Sequence, residues 1–331
     1  MSTTTSLLRL PENGRDALKL IGLVGLIAVP LLVSSYRTSI IATYLTFAIL
    51  AVSVDLVWGY TGMLTLGHAA FFGAGGYLTA KMLTVIPSVP SVLVVFVIAP
   101  LFTGILALAI GLFLFNSEIK GSYFAISMLI VAIVFESIAG EFVGFLGGFN
   151  GIYNIPSLSI GAIQFTARMN YYIVLVMLLT VFLSARWIVN SAFGHALRGI
   201  RDNEERTRLF GYNTDRYRLI IFAISGVMAG VAGAMYVTID GFVSPPLLGF
   251  VLSTQVVIWV AVGGRGTLIG AVIGALLIQY LNTTLSDLLL NFWEFALAIL
   301  FIAMVVFGSD GVVGLLSRVA DDIESRGEFN E

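Results

Sequence analysis

Three ionisable residues within apolar stretches are the first candidates for chemistry in this sequence. Asp55, His68 and Glu136 each interrupt a run of hydrophobic residues. An ionisable side chain at such a position is costly unless it has a partner or a function, such as proton relay or substrate binding. His68 has an equally weighted alternative, a neutral imidazole bonded to a neighbouring helix. No nucleophile and base are paired at helical spacing, which disfavours an intramembrane enzyme.

Motifs for nucleotide and metal chemistry are missing from the sequence. The chain has no cysteine, no G-x-x-x-x-G-K-[ST] phosphate loop and no H-E-x-x-H pair. These patterns supply the phosphate cradle of common ATPases and the ligands of many zinc sites. We therefore expect this chain to bind no metal and no cofactor. The formal net charge of −2 also gives no reason to expect a nucleic-acid partner.

The composition predicts an all-α polytopic integral membrane protein of the cell membrane. Hydrophobic residues make up 58% of the chain and charged residues 11%, whereas a soluble domain has about 25% charged residues. The mean hydropathy is +1.00. Since a spanning helix needs about 20 apolar residues, we expect about eight to ten transmembrane helices. The apolar candidates are Ala17–Val33, Ile40–Trp58, Thr61–Leu83, Ser91–Phe115, Ser122–Ala139, Tyr171–Val189, Leu219–Ile239, Leu252–Leu281 and Phe292–Phe307.

The segment Leu252–Leu281 is too long for one straight span. Its 30 residues would cover about 45 Å as a helix, but the hydrocarbon core is about 30 Å thick. The run Gly263-Gly264-Arg265-Gly266 suggests two half-helices with a break between them, and we favour a re-entrant segment. A single crossing is the alternative, and the side of the C-terminal tail depends on this choice.

A short internal similarity suggests a two-fold repeat. Gly59-x-x-Gly62-x-Leu64 recurs as Gly263-x-x-Gly266-x-Leu268. Broken segments at corresponding positions of two halves mark the substrate site in many transporters. Six positions are few, so a chance match is the alternative.

Charge patterning divides the chain into segments and orients it. Seven of the 17 basic residues lie between positions 186 and 218, and the positive-inside rule places this segment in the cytoplasm. Six crossings from a cytoplasmic N-terminus also bring the chain inside near residue 190. We predict a cytoplasmic segment 1–16, a transmembrane domain 17–308 with a cytoplasmic loop 190–217, and a polar acidic tail 309–331.

The loop contains an amphipathic pattern, which predicts one short helix from Phe193 to near Gly211. Ala196, Leu197 and Ile200 share an apolar stripe between charged residues. Such a stripe needs a partner surface. The helix would lie at the membrane interface or would dock a soluble subunit.

Three separated blocks of this sequence resemble the membrane subunits of ABC importers for branched-chain amino acids and urea. The blocks are Gly59–Tyr77, with the run Leu66–Gly73, Phe193–Tyr236, with the run Ala196–Glu204, and Gly241–Leu277. The resemblance spans residues 20–308. The Gly67-His68 pair is more similar to the amino-acid subtype, and Trp259–Ala271 to the urea and short-amide subtype, so the solute stays open between them.

The resemblance implies a mechanism and a set of partners. Such subunits lie in the lipid bilayer and pair with a second homologous permease subunit. Two cytoplasmic ATPases that bind ATP and magnesium drive them, and an extracytoplasmic binding protein delivers the solute. The implied contact with the ATPase consists of Ala196, Leu197, Arg198, Arg201, Asp202, Glu204 and Gly211. Our candidates for the translocation pathway are Gly62, His68, Tyr123, Glu136, Gly263 and Gly266.

A stand-alone, proton-coupled carrier is the main alternative from another class. It would use Asp55, His68 and Glu136 as proton sites. The arginine-rich loop favours the importer, because a secondary carrier needs no cytoplasmic partner.

Overall fold

The computed structural model describes residues 25–117, 119, 121–160, 163–289, 311 and 314. The predicted segment 1–16, the last predicted span and the tail 309–331, apart from positions 311 and 314, lie outside the described residues. Residues 25–32 are helical. The helices that follow are α1 (Ser35–Thr61), α2 (Ala69–Val85), α3 (Ser91–Asn116), α4 (Ser122–Glu141), α5 (Ala167–Asn190), α6 (Ala192–Asp202), α7 (Glu204–Leu209), α8 (Thr214–Asp240), α9 (Phe250–Gly263) and α10 (Ile269–Leu289).

The prediction of an all-α membrane protein is confirmed. Among the described residues, six helices are long and apolar enough to cross a membrane, namely α1, α3, α4, α5, α8 and α10. The chain is therefore a multi-pass membrane protein. Helix α9 is apolar but has 14 residues, which cover about 21 Å.

Helices α1 and α8 form the core of the bundle. In the most apolar 18-residue stretch of α1, 78% of the stretch is buried inside the protein, whereas the corresponding share is 33% in α4 and in α5. Helix α1 packs on α5, α8, α9 and α10, and α8 also packs on α2 and α3. The outer helices α3, α4 and α5 expose apolar side chains, as expected for surfaces that face lipid.

Helix α3 contains a wider turn at Val94–Ile98, which ends two residues before Pro100. Proline has no N–H to donate to the carbonyl four residues earlier, so a regular α-helical ladder is interrupted there. The helix nevertheless continues to Asn116 and spans 26 residues.

The predicted span Thr61–Leu83 is wrong at its start, because α2 begins at Ala69. Gly62 ends α1 with a positive φ of 80°, a conformation that glycine adopts without steric cost. Residues 62–68 then run without helical structure. Met63, Thr65 and His68 within this run are buried, as irregular backbone in a membrane protein must be.

The predicted break near Gly263–Gly266 is confirmed, and α9 and α10 pack against each other as a hairpin. Trp259 faces Gly274 while Gly263 faces Gly270, so the two helices run antiparallel. Their turn, residues 264–268, lies against the C-terminal end of α1.

The predicted single cytoplasmic helix is two helices, α6 and α7, joined at Asn203. Asn203 has an extended backbone with φ −162°, and its side chain accepts a hydrogen bond from the backbone N–H of Arg206. Asparagine favours this capping position because its oxygen satisfies a free N–H at the start of a helix. We call the end of the bundle that carries residues 191–213 the arginine-rich end.

The segment between α4 and α5 lies at the opposite end and has little regular structure. It contains the helical turn Val143–Leu146, the 3-10 turn Gly148–Asn150 and a hairpin of β1 (Ser159–Ile160) with β2 (Ile163–Gln164). Ile152 pairs with Val243 through two backbone hydrogen bonds of 2.9 and 3.1 Å. This bridge fixes the segment to the residues that lead from α8 into α9.

Candidate coupling surface and translocation pathway

Helix α6 is held on the bundle by its apolar face. Ala196, Leu197 and Ile200 are buried, and α6 packs against α5, α1 and α8. Ser191 caps its first turn by accepting from the N–H of Gly194. Phe193 stacks on Tyr217 of α8 with ring centroids 4.9 Å apart. The predicted apolar stripe therefore faces the membrane domain of this same chain.

The outer side of α6 and α7 forms an open groove of about 710 Å³. It is lined by His195, Gly199, Asp202, Arg206, Phe210 and Tyr212, among others. Of these residues Phe210 is 76% exposed, and its neighbour Leu209 is 84% exposed. Large apolar side chains at a polar, charged end of a membrane protein are typical of an interaction surface.

Two arginines of the predicted ATPase contact bind carbonyl groups within the chain. Arg198 donates to the carbonyl of Val189 at 2.9 Å. Arg201 donates to the carbonyl of Gly59 at 2.9 Å and to the carboxylate of Asp202 at 3.1 Å. Both side chains thus hold α6 in place.

Glu204 is the centre of a charged cluster behind the groove. Its two carboxylate oxygens accept two hydrogen bonds of 2.8 Å from the guanidinium of Arg218. Arg208 and the hydroxyl of Thr214 also donate to Glu204, at 3.1 and 3.2 Å. Charge-assisted, bidentate pairs of this kind are stronger than neutral hydrogen bonds. The cluster joins α7 to the start of α8, and Gly211, with a φ of 89°, forms the turn between them.

His68 lies in the interior, at the start of α2. Its side chain is 1% exposed and packs edge-on against Phe71 and Phe222. The ring Nδ1 lies 3.5 Å from the hydroxyl of Thr65. Among the described residues, its Nε2 has no hydrogen-bond partner.

Two helices begin close together in the interior, α2 and α9. The backbone N–H of Ala69, the first residue of α2, donates to the hydroxyl of Ser253 in α9 at 3.2 Å. The partly buried carboxylate of Glu136 lies against Gly249, immediately before α9. Free N–H groups give a helix N-terminus a partial positive charge. Substrate anions bind at such ends in other transporters with broken helices.

The remaining pathway candidates lie in different environments. Tyr123 is 76% exposed on the outside of α4. Gly62 contacts Arg201, and Gly263 packs against the backbone of Gly270. Gly266 lies in the hairpin turn, with a φ of 77°. The structure therefore groups Gly62 and Gly266 at the arginine-rich end, and His68 and Glu136 deeper in the bundle.

Asp55 lies close to Gly62 and Gly266 at the arginine-rich end. In the sequence, only its charge within an apolar run makes Asp55 notable. It is fully buried and accepts a hydrogen bond of 2.6 Å from the backbone N–H of Gly266. Both predicted repeat motifs meet here, because Gly59 of the first motif packs on Gly266 of the second.

Residues 36–308 match the profile of a family described as "Branched-chain amino acid transport system / permease component". The chain belongs to this family. As a permease component of an ABC importer, it works with other transporter subunits. It is 27% identical over 300 residues to the high-affinity branched-chain amino acid transport system permease protein LivM of Escherichia coli strain K12, a match that covers 80% of this chain and 67% of LivM.

Other permeases are similar over shorter lengths. A probable branched-chain amino acid transport permease protein LivM of Methanocaldococcus jannaschii is 24% identical, covering 57% of this chain and 64% of its own. The autoinducer 2 import system permease protein LsrC of Yersinia pseudotuberculosis (strain PB1/+) is 32% identical over 38% of each chain. No solved structure matches significantly.

Proposed function

We propose that this permease translocates branched-chain amino acids into the cell by alternating access, driven by ATP hydrolysis on two separate cytoplasmic ATPase subunits. A second homologous permease subunit completes the pathway, and an extracytoplasmic binding protein delivers the solute. ATP and magnesium are bound by the ATPases.

The groove on α6 and α7 carries this proposal. It opens at the arginine-rich end, which the positive-inside rule places in the cytoplasm, and its residue Phe210 and the neighbouring Leu209 are exposed. A short helix locked onto α1, α5 and α8 can pass the movement of a docked subunit to the transmembrane helices as a rigid body. A stand-alone carrier has no use for such a surface.

The interior supports an amino acid as the solute. The starts of α2 and α9 lie together beside His68 and Glu136. The positive end of α2 favours a solute carboxylate, and the carboxylate of Glu136 favours the ammonium group of the same solute. Urea carries neither charge. The LivM relatives agree with this choice, and the LsrC relatives show that the family also imports other solutes.

The test is reconstitution of the complex in proteoliposomes. The chain is co-expressed with its neighbouring transporter genes and purified through a tag on this chain. ATP hydrolysis and uptake are then measured with binding proteins loaded with leucine, urea or no solute. We expect two ATPases and a second permease to co-purify, and leucine to stimulate both activities. Uptake that follows a proton gradient without ATP would overturn the importer, and stimulation by urea alone would overturn the solute.

A further inference from the structure

Three main-chain groups at the end of α1 and in the hairpin turn are bound by charged side chains from three elements. The carboxylate of Asp55 in α1 accepts from the N–H of Gly266 at 2.6 Å. Arg265 donates twice to the carbonyl of Trp58, at 3.0 and 3.2 Å. Arg201 of α6 donates to the carbonyl of Gly59 at 2.9 Å. We call Asp55, Arg201 and Arg265, with these three bonds to main-chain groups, the clasp.

The clasp links α6 to the hairpin through the end of α1. Helix α6 faces the groove, whereas the α9–α10 hairpin leads to Gly249 and Glu136 in the interior. The carboxylate of Asp55 lies one helical turn before the two carbonyls that Arg201 and Arg265 bind. The three bonds therefore fix the hairpin turn and α6 to the same end of α1.

Close backbone packing makes this junction stiff. A methyl group added at Gly59 would lie 2.7 Å from Cα of Gly266, closer than van der Waals contact allows. Arg265 also lies over the indole of Trp58, with Cζ 4.8 Å from the ring centroid. A displacement of α1 relative to the turn must therefore break these bonds or carry the turn with it.

We propose that Asp55 is a positioning residue that transmits the movement of α6 to the α9–α10 hairpin and so couples ATP hydrolysis to solute movement. This inference rests on the proposed function. Asp55 contacts no solute in this role, but it holds Gly266, and with it the turn, against α1 while Arg201 holds α1 against α6. Two discrete arrangements of such a contact can transmit coupling between distant sites.

The experiment measures leucine taken up per ATP hydrolysed by the complete complex in proteoliposomes. Asp55→Ala removes the carboxylate oxygen that accepts the hydrogen bond from the N–H of Gly266. We expect the ratio to fall about tenfold, in the usual range of coupling energies, while complex assembly and stimulated ATP hydrolysis change less than about twofold. A residue needed only for folding would lower uptake and hydrolysis together.

Gly59→Ala is the second variant, because the added methyl group would overlap both the carboxylate of Asp55 and the backbone of Gly266 without changing charge. Gly144→Ala is the matched control, since a methyl group there has no neighbour within 4 Å. If Asp55→Ala does not assemble, Arg265→Gln replaces it, because this exposed side chain can be changed without opening the core. We expect the same fall in the ratio for Gly59→Ala and Arg265→Gln.

An unchanged ratio in these variants, or a loss of uptake in proportion to hydrolysis, would overturn the role of Asp55 and leave the proposed function intact. A wild-type complex that moves leucine without ATP would overturn both.

Discussion

The carboxylate of Glu136 lies directly against the backbone of Gly249, at the start of α9. Helix α4 thus places a negative group at the positive end of a short helix that begins inside the bundle. This contact is favourable by about 0.3–1 kcal/mol, and by more where it is partly buried. Glu136 therefore already occupies the end of α9 to which a solute carboxylate would be attracted.

Gly249→Ala should displace Glu136 from the start of α9, because the added methyl group takes the place of the carboxylate. The side chain is flexible, so we expect a loss of about 1 kcal/mol in the free energy of unfolding. The same substitution should cost clearly less in a Glu136→Ala background, where the overlap is gone. Thermal unfolding in detergent measures all three variants. Strictly additive losses would contradict the contact, since independent sites add.

Phe210→Ala should weaken binding of the ATPase subunits without changing the stability of the permease. Because Phe210 is 76% exposed, it adds little to the fold, whereas removal of an aromatic side chain at the centre of an interface often costs about 2 kcal/mol. We expect about thirtyfold weaker ATPase binding, measured by titration of the solubilised permease. Tyr36→Ala is the control, because Tyr36 is an equally exposed aromatic residue at the start of α1, far from the arginine-rich end. Equal ATPase binding by both variants would show that the ATPase does not dock at the groove.

Glu204→Ala should destabilise the arginine-rich end. The substitution removes both bonds to Arg218, whose side chain is 10% exposed, and leaves this guanidinium without its bidentate partner. We expect a loss of about 2 kcal/mol, typical of hydrogen bonds to charged groups. Glu205→Ala, at the exposed neighbouring position, is the control. Melting curves that shift equally for both variants would count against the cluster.

Gly263→Ala should force the hairpin apart. The new methyl group would overlap the carbonyl of Gly270, and backbone on both sides cannot move as a flexible side chain does. Overpacking of this kind costs about 1–3 kcal/mol, and we expect uptake to fall with stability. Gly25→Ala, where nothing lies within 4 Å, should be neutral in the same assays. A stable, active Gly263→Ala variant would contradict the close packing of α9 on α10.

Hydropathy predicts the long spanning helices of this chain well. Tyr171–Val189 lies within α5, and Leu219–Ile239 within α8, because twenty apolar residues in lipid leave the backbone few options other than a helix. The break at Gly263–Gly266 is equally visible, since the segment is too long and its glycines are clustered.

The remaining features depend on contacts between distant residues, which hydropathy does not contain. The delayed start of α2 follows from the positive φ of Gly62 and from the close packing of Gly67 on Met128 of α4. The inward direction of Arg198 and Arg201 depends on the carbonyls of Val189 and Gly59. Asp55 stood out by its charge, but its partner Gly266 is 211 residues away and bonds through its backbone. The origin of the two glycine motifs as a repeat stays a prediction.

The clasp has a consequence for how this permease can vary among related sequences. One partner in each bond is a main-chain group, at Trp58, Gly59 or Gly266. Every amino acid supplies a main-chain carbonyl, and every amino acid except proline supplies a main-chain N–H. Specificity at this junction therefore lies in the three charged side chains, in the indole of Trp58 below Arg265 and in the small size of the glycines. At the three main-chain bonds themselves, we expect no paired substitutions among related sequences, because only one partner of each bond is a side chain.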